Sequence, residues 1–225
     1  MRKKLLALSI ALAFTSTPGI IHAKENIRAG KEKAAMCSGC HGEDGNSAMP
    51  LFPKLAGQHP SYTSQQLMAF KNGSRKDPTM APMALSLSIG DMDDIAAYYA
   101  SQKISANTLP PPLERDEDDE DDDESPEEAV DMDAVLALGQ DLYRNGDLKR
   151  EVSACIACHG PNAEGNKPAA FPALNSQHAD YLIKALKDFK SGSRSNSAYN
   201  MMHMITKKMT DQEIEAVSYH ISMMK

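Results

Sequence analysis

The sequence predicts an all-α protein built from two tandem helical modules joined by a charged connector. Three observations carry that expectation: the halves of the 225-residue chain repeat each other, neither half alternates apolar and polar residues as a strand would, and one acidic run separates them. The repeat is the strongest of the three. "FPKLAGQHPSYTSQQLMAFKNGSR" (residues 52–75) lies over "FPALNSQHADYLIKALKDFKSGSR" (171–194) without a gap, at an offset of 119. "LSIGDMDDIAAYYASQ" (87–102) lies over "MTDQEIEAVSYHISMM" (209–224).

The N-terminus reads as an export signal. "MRKKLLALSIALAFTSTPGIIHA" opens on Arg2, Lys3 and Lys4, runs apolar over residues 5–14, and ends in small and turn-forming residues, with cleavage expected after Ala23. Its apolar core is too short to span a bilayer, and no other segment reaches ~20 apolar residues. The expected organisation is a signal at 1–23, a first module at 24–108, a connector at 109–130 and a second module at 131–225. An exported chain meets conditions in which disulfides can form.

Each module reads as helices with loops between them. Opening helices are expected at about 27–35 and 134–143. Middle helices follow His59-Pro60 and His178-Ala179, where Tyr181, Leu182, Ala185, Leu186 and Phe189 recur at helical spacing. The last helix of the second module opens with a capping box, Thr210 as N-cap and Glu213 three residues on, stapled by Met209 and Ile214. Ser88 and Asp91, flanked by Leu87 and Met92, repeat the signal in the first.

The formal charge of −7 is local in origin. "ERDEDDEDDDESPEE" (114–128) carries twelve acids and one Arg, whereas residues 24–113 carry nine basic and eight acidic side chains and residues 129–225 eleven of each. A run that repels itself and buries no apolar surface is expected to be extended, and the preceding "LPPPL" stops any helix. Two nearly neutral modules give no reason to expect a nucleic-acid partner.

Both modules open on the same short motif, "CSGCH" at 37–41 and "CIACH" at 155–159, and Cys37, Cys40, Cys155 and Cys158 are every thiol in the chain. On a helical turn, residues i and i+3 share a face with i+4 beside them. Two thiols so placed can bond two substituents on one edge of a flat macrocycle while the histidine points at its centre, which is the signature of c-type haem attachment. A disulfide within each pair leaves the histidines without a role. A zinc site would need ligands more than a hundred residues apart, and a thioredoxin-like pair needs a βαβ context absent here. Two covalently bound haem c groups are therefore expected, with His41 and His159 on the irons. They would also complete the small core that modules of this size can build.

A second axial ligand is sought among fourteen methionines. Anchored on the C-terminal helix caps, Met80 stands seven residues before Leu87 and Met202 seven before Met209, and only these two coincide. Met83, Met201 and Met204 remain as fallbacks. His59 and His178 sit at helix entries, where capping or surface roles fit them better than ligation; His203 reads as peripheral and His220 as packing. Pro53 and Pro172 stand where a loop carbonyl can accept the second N–H of an iron-bound imidazole.

These motifs together, two units of "CSGCHG…FPKLAGQ…KNGSR…M…LS…DIAAYYASQ", resemble the dihaem cytochrome c4 family over nearly the whole chain outside the acidic block. The resemblance implies two class I cytochrome c folds, ligation by His41 with Met80 and by His159 with Met202, and proline carbonyls bonded to both histidines. It also implies opening and closing helices that cross at a glycine and an aromatic, here Gly30 with Tyr98 or Tyr99 and Gly139 with Tyr219. Family members carry electrons in the periplasm, commonly from the quinol-cytochrome c reductase (bc1) side toward a terminal oxidase, touching the membrane only through partners. With both axial positions filled, the expected role is a carrier of up to two electrons and not an enzyme. Two alternatives stay open: an electron-accepting subunit of a periplasmic dehydrogenase, and a haem peroxidase or gas sensor. The acidic block departs from the family's shorter connector and leaves open whether the two haem faces meet; a basic partner surface is one role for it, a solvated spacer the other.

Overall fold

The computed structural model describes residues 19–108 and 131–225. The expected connector and most of the expected export signal lie outside them. The first repeat comprises α1 (Gly19–Lys33), α2 (Ser38–His41), α3 (Pro60–Lys71), α4 (Met80–Leu85) and α5 (Ile89–Ala100). The second comprises α6 (Met132–Asn145), α7 (Ile156–His159), α8 (Ala179–Ser191), α9 (Met201–Thr206) and α10 (Asp211–Met223). Two isolated bridges, Asp147 with Val152 and Asn166 with Phe171, are the only extended pairing among the described residues. No helix among them is long and apolar enough to cross a membrane.

The helix ends follow local chemistry. Ser88 and Thr210 each accept a hydrogen bond from the backbone N–H three residues on, and the carboxylates of Asp91 and Glu213 accept one from the cap residue's own N–H, completing both capping boxes. Glu213 is also gripped by Arg150, whose guanidinium holds its carboxyl below the usual range. Asp131 caps α6 through the N–H groups of Asp133 and Ala134. α1 begins well before the expected residue 27, because Pro18 and Gly19 are the nearest helix-breaking residues upstream.

In each repeat the first and last long helices cross, α1 over α5 and α6 over α10. A Cβ on Gly30 would stand 2.0 Å from the Asp94 carbonyl oxygen, and one on Gly139 would stand 2.1 Å from that of Ala216. Any side chain there must push the helices apart, which explains the glycine. The aromatic at the first crossing is Tyr98, whose Cβ faces Gly30. At the second, the expectation of Tyr219 is corrected: the Cβ of His220 faces Gly139. Ala216 and His220 are four apart on one helical stripe, and Tyr219 lies about 100° round the helix from it. The ring lost from α10 is supplied by Tyr143 of α6, whose hydroxyl donates to the Gly160 carbonyl at 2.6 Å as the Tyr98 hydroxyl donates to that of Glu43 at 2.9 Å.

The two repeats pack against each other through paired loops. Gln58 bonds the backbone of Ala173, and Gln177 that of Lys54. Arg75 donates to the Tyr181 hydroxyl at 3.1 Å, and Arg194 to that of Tyr62 at 3.0 Å. The chain leaving α5 is held by Asn107, whose amide donates to the carbonyls of Ser176, Gln177 and Ser222. The faces left open by the sequence therefore meet, through side chains of the described residues.

Candidate functional site

The two Cys-x-x-Cys-His motifs close short helices. Backbone N–H groups of His41 and His159 donate to the carbonyls of Cys37 and Cys155, fixing the one-turn spacing. All four cysteines are half-buried and unpaired. Burial pushes the Cys37 thiol up and that of Cys155 to about 11, so neither is a reactive thiolate in the free chain. His41 and His159 are buried, and burial lowers both imidazoles toward the neutral form that ligates metals. Nδ1–H of His41 donates to the Pro53 carbonyl at 2.9 Å, and that of His159 to Pro172 at 3.0 Å. Each Nε2 is thereby the ring nitrogen left for a metal.

A cavity of about 770 Å³ opens beside His41. Cys37, Phe52, Leu67, Met80 and Tyr99 are among its walls, so the histidine and the expected distal methionine of the first repeat border one space. Met80 begins α4. Met202 sits in the first turn of α9, half-buried, and is not in that cavity's wall. It follows Tyr199 and Asn200, both in the left-handed region, and its N–H is held by the Ser197 hydroxyl. Of the other candidates, Met204 is 49% exposed. His178 donates across the domain boundary to the Ser47 carbonyl at 2.9 Å, and His203 bonds the Phe189 carbonyl. His220 packs on Tyr143.

The residues fit a haem. Its size suits the cavity, and the Tyr99 hydroxyl is buried there without a partner. Lys54, Arg75 and Arg194 also line the cavity, and their side-chain hydrogen bonds go to neutral partners only. Asp77 and Asp188 share this wall but accept no hydrogen bond from these three side chains, and cations so placed suit a ligand that brings its own acids, as haem does. These residues come from both repeats, and sequence reading passed over them. Arg75 and Arg194 each stack on a phenylalanine, 4.5 Å from Phe70 and 4.3 Å from Phe189, and their duplication at an offset of 119 was the available signal. Among the described residues no three His, Cys, Asp or Glu side chains converge on a metal-sized site.

Two helical folds, each closing on a Cys-x-x-Cys-His turn, define a tandem c-type cytochrome. A family model for cytochrome c matches residues 27–103 and again 136–225. Cytochrome c4 of Azotobacter vinelandii is 39% identical over 231 residues, 98% of each chain. The crystal structure of reduced recombinant cytochrome c4 from Pseudomonas stutzeri superimposes with a TM-score of 0.76 at 37% identity, covering 88% of this chain and 98% of that one. A protein named thiosulfate dehydrogenase electron acceptor, from Thiomonas intermedia (strain K12), is 32% identical over 97% of this chain and 89% of its own. The chain belongs to the cytochrome c4 family. It is a dihaem electron-transfer protein with two covalently bound haem c groups.

Proposed function

We propose that Cys37 and Cys40 hold the first haem and Cys155 and Cys158 the second, with His41 and Met80 on one iron and His159 and Met202 on the other. The observation that carries this reading is the proximal geometry, an imidazole bonded through Nδ1 to a proline carbonyl in both repeats. Bound haem supplies a one-electron ferric–ferrous couple. The chain's part is to keep ligation constant through it. Pro53 and Pro172 fix the tautomer and orientation of the histidines. Met80 and Met202 would complete the ligation of the irons and, as thioethers, would favour a higher potential than a second histidine. The protein then works as a two-electron periplasmic shuttle, exported with its signal removed after Ala23, between the quinol-cytochrome c reductase or another donor and a terminal oxidase. A second reading, electron acceptor to a periplasmic dehydrogenase, is favoured by the likeness to the Thiomonas protein. In a redox titration the purified protein should take up two electrons per chain, and its native reduced form should not bind CO. Ready CO binding at either haem would sink the carrier assignment.

The connector at 109–130 acts in this reading as an electrostatic handle for a basic partner. Deleting residues 116–124 should slow electron transfer to the partner at low ionic strength and leave both potentials almost unchanged. The difference should vanish at high salt, where attraction is screened. Equal rates for deletion and parent across the salt range would reduce the run to a spacer.

A further inference from the structure

Each proximal histidine ends a hydrogen-bond chain that begins in the other repeat. The Pro53 carbonyl that accepts from His41 shares a peptide unit with the Lys54 N–H, and that N–H donates to Oε1 of Gln177 at 2.8 Å. Gln177 returns its Nε2–H to the Lys54 carbonyl at 2.9 Å, and its Oε1 also accepts from the His178 N–H at 3.1 Å. The mirror arrangement serves His159. The Pro172 carbonyl shares a peptide unit with the Ala173 N–H, which donates to Oε1 of Gln58 at 3.0 Å. Gln58 returns its Nε2–H to the Ala173 carbonyl at 2.8 Å and accepts from the His59 N–H at 2.9 Å. Both glutamines are buried, 9% and 4% exposed. Each amide nitrogen faces a carbonyl and each amide oxygen faces two N–H groups, so neither amide can be turned over without losing its partners.

A peptide unit is resonant, and donation from its N–H places more negative charge on its own oxygen. A more negative oxygen draws the histidine Nδ1–H harder, gives the ring more anionic character and makes it a more basic ligand. A more basic ligand favours ferric iron and lowers the potential. We infer that Gln177 tunes the iron site of the first repeat and Gln58 that of the second, so that each reduction potential is set in part from the opposite domain. The inference rests on His41 and His159 being iron ligands. Both glutamines are positioning residues, acting on the iron through a peptide and an imidazole. Simple adhesion between domains makes a different prediction. A loosened boundary would disturb both sites together, and water reaching them would favour the charged ferric state and lower the potentials.

The test uses the full-length dihaem protein carrying Gln177→Met or Gln58→Met, titrated by spectroelectrochemistry and followed by NMR so that each step is assigned to its repeat. Gln177→Met should raise the potential of the first site and move the His41 Nδ1–H resonance of the reduced protein upfield, leaving the second site nearly still. Gln58→Met should do the converse at His159. Gln177→Asn and Gln58→Asn, one methylene too short for the clamp, should give the same crossed pattern and serve if the methionine variants do not retain both haems. Equal movement of both sites, movement only within the substituted repeat, a fall at the facing site, or no movement overturns the relay while the ligand assignment stands. Histidine ring resonances without the large ring-current shifts of an iron-bound imidazole would overturn both.

Discussion

Replacing Cys155 and Cys158 together with serine is expected to leave one covalently bound haem per chain and a second repeat that no longer folds cooperatively. The chemical half follows from the motif, since two thioether bonds tie each haem to its own pair of cysteines. The structural half follows from how little core the chain builds unaided. The buried apolar cluster of the second repeat is formed by Tyr143, Val152, Ala163, Leu182, Met209, Ile214, Val217 and Ile221, with Cys155 and Ile156 at its margin. Burying several hundred Å² of macrocycle and pocket wall, at about 25 cal/mol/Å², contributes on the order of 10 kcal/mol. That is comparable with the roughly 5–15 kcal/mol that holds a whole domain folded. Haem content by pyridine haemochrome should fall to about half, as two equivalent attachment sites require, and thermal unfolding should keep only the transition of the first repeat. Two acid–acetone-resistant haems in the double variant would show that these cysteines are not the attachment.

Met80→Leu is expected to remove about half of the methionine–iron(III) charge-transfer absorbance, lower one of the two potentials and open one haem to CO, because a hydrocarbon cannot replace a thioether ligand. Met202→Leu should do the same to the other haem. Met80 borders the same cavity as His41, which supports the first outcome. Met202 follows two left-handed residues and stands outside that wall, so its assignment leans on the repeat register. An absorbance lost in Met83→Leu or Met204→Leu, and kept in Met80→Leu and Met202→Leu, would overturn the register.

Short-range features were open to sequence reading. The capping boxes at Ser88 and Thr210 close over three residues, and the Cys-x-x-Cys-His turn spans five, so propensity and spacing decide them with little help from elsewhere. The crossing glycines, Gly30 and Gly139, were expected from the family resemblance, and both stand where the opening and closing helices meet. Their partners were less legible. A search for an aromatic on α10 finds Tyr219, yet helical phase turns His220 toward Gly139 and moves the ring's task to Tyr143 on α6. The register of α5 over α10 already placed Tyr98 opposite His220, and following it would have found the contact.

Covalent haem attachment and repeat number were determined by the sequence alone, since each depends on residues within a turn of one another or on direct self-similarity. The use of Gln58, Gln177, Arg75 and Arg194 was decided only by the tertiary structure. In sequence they stand only as residues of the repeated motif, with no role attached. Their partners in the other repeat lie more than a hundred positions away, at sequence separations of 123 for Gln177 with Lys54 and 106 for Arg75 with Tyr181. A buried amide or guanidinium takes its meaning from whichever donors and acceptors folding brings within about 3 Å. Here the decisive ones belong to the other repeat, and no spacing along the chain encodes them.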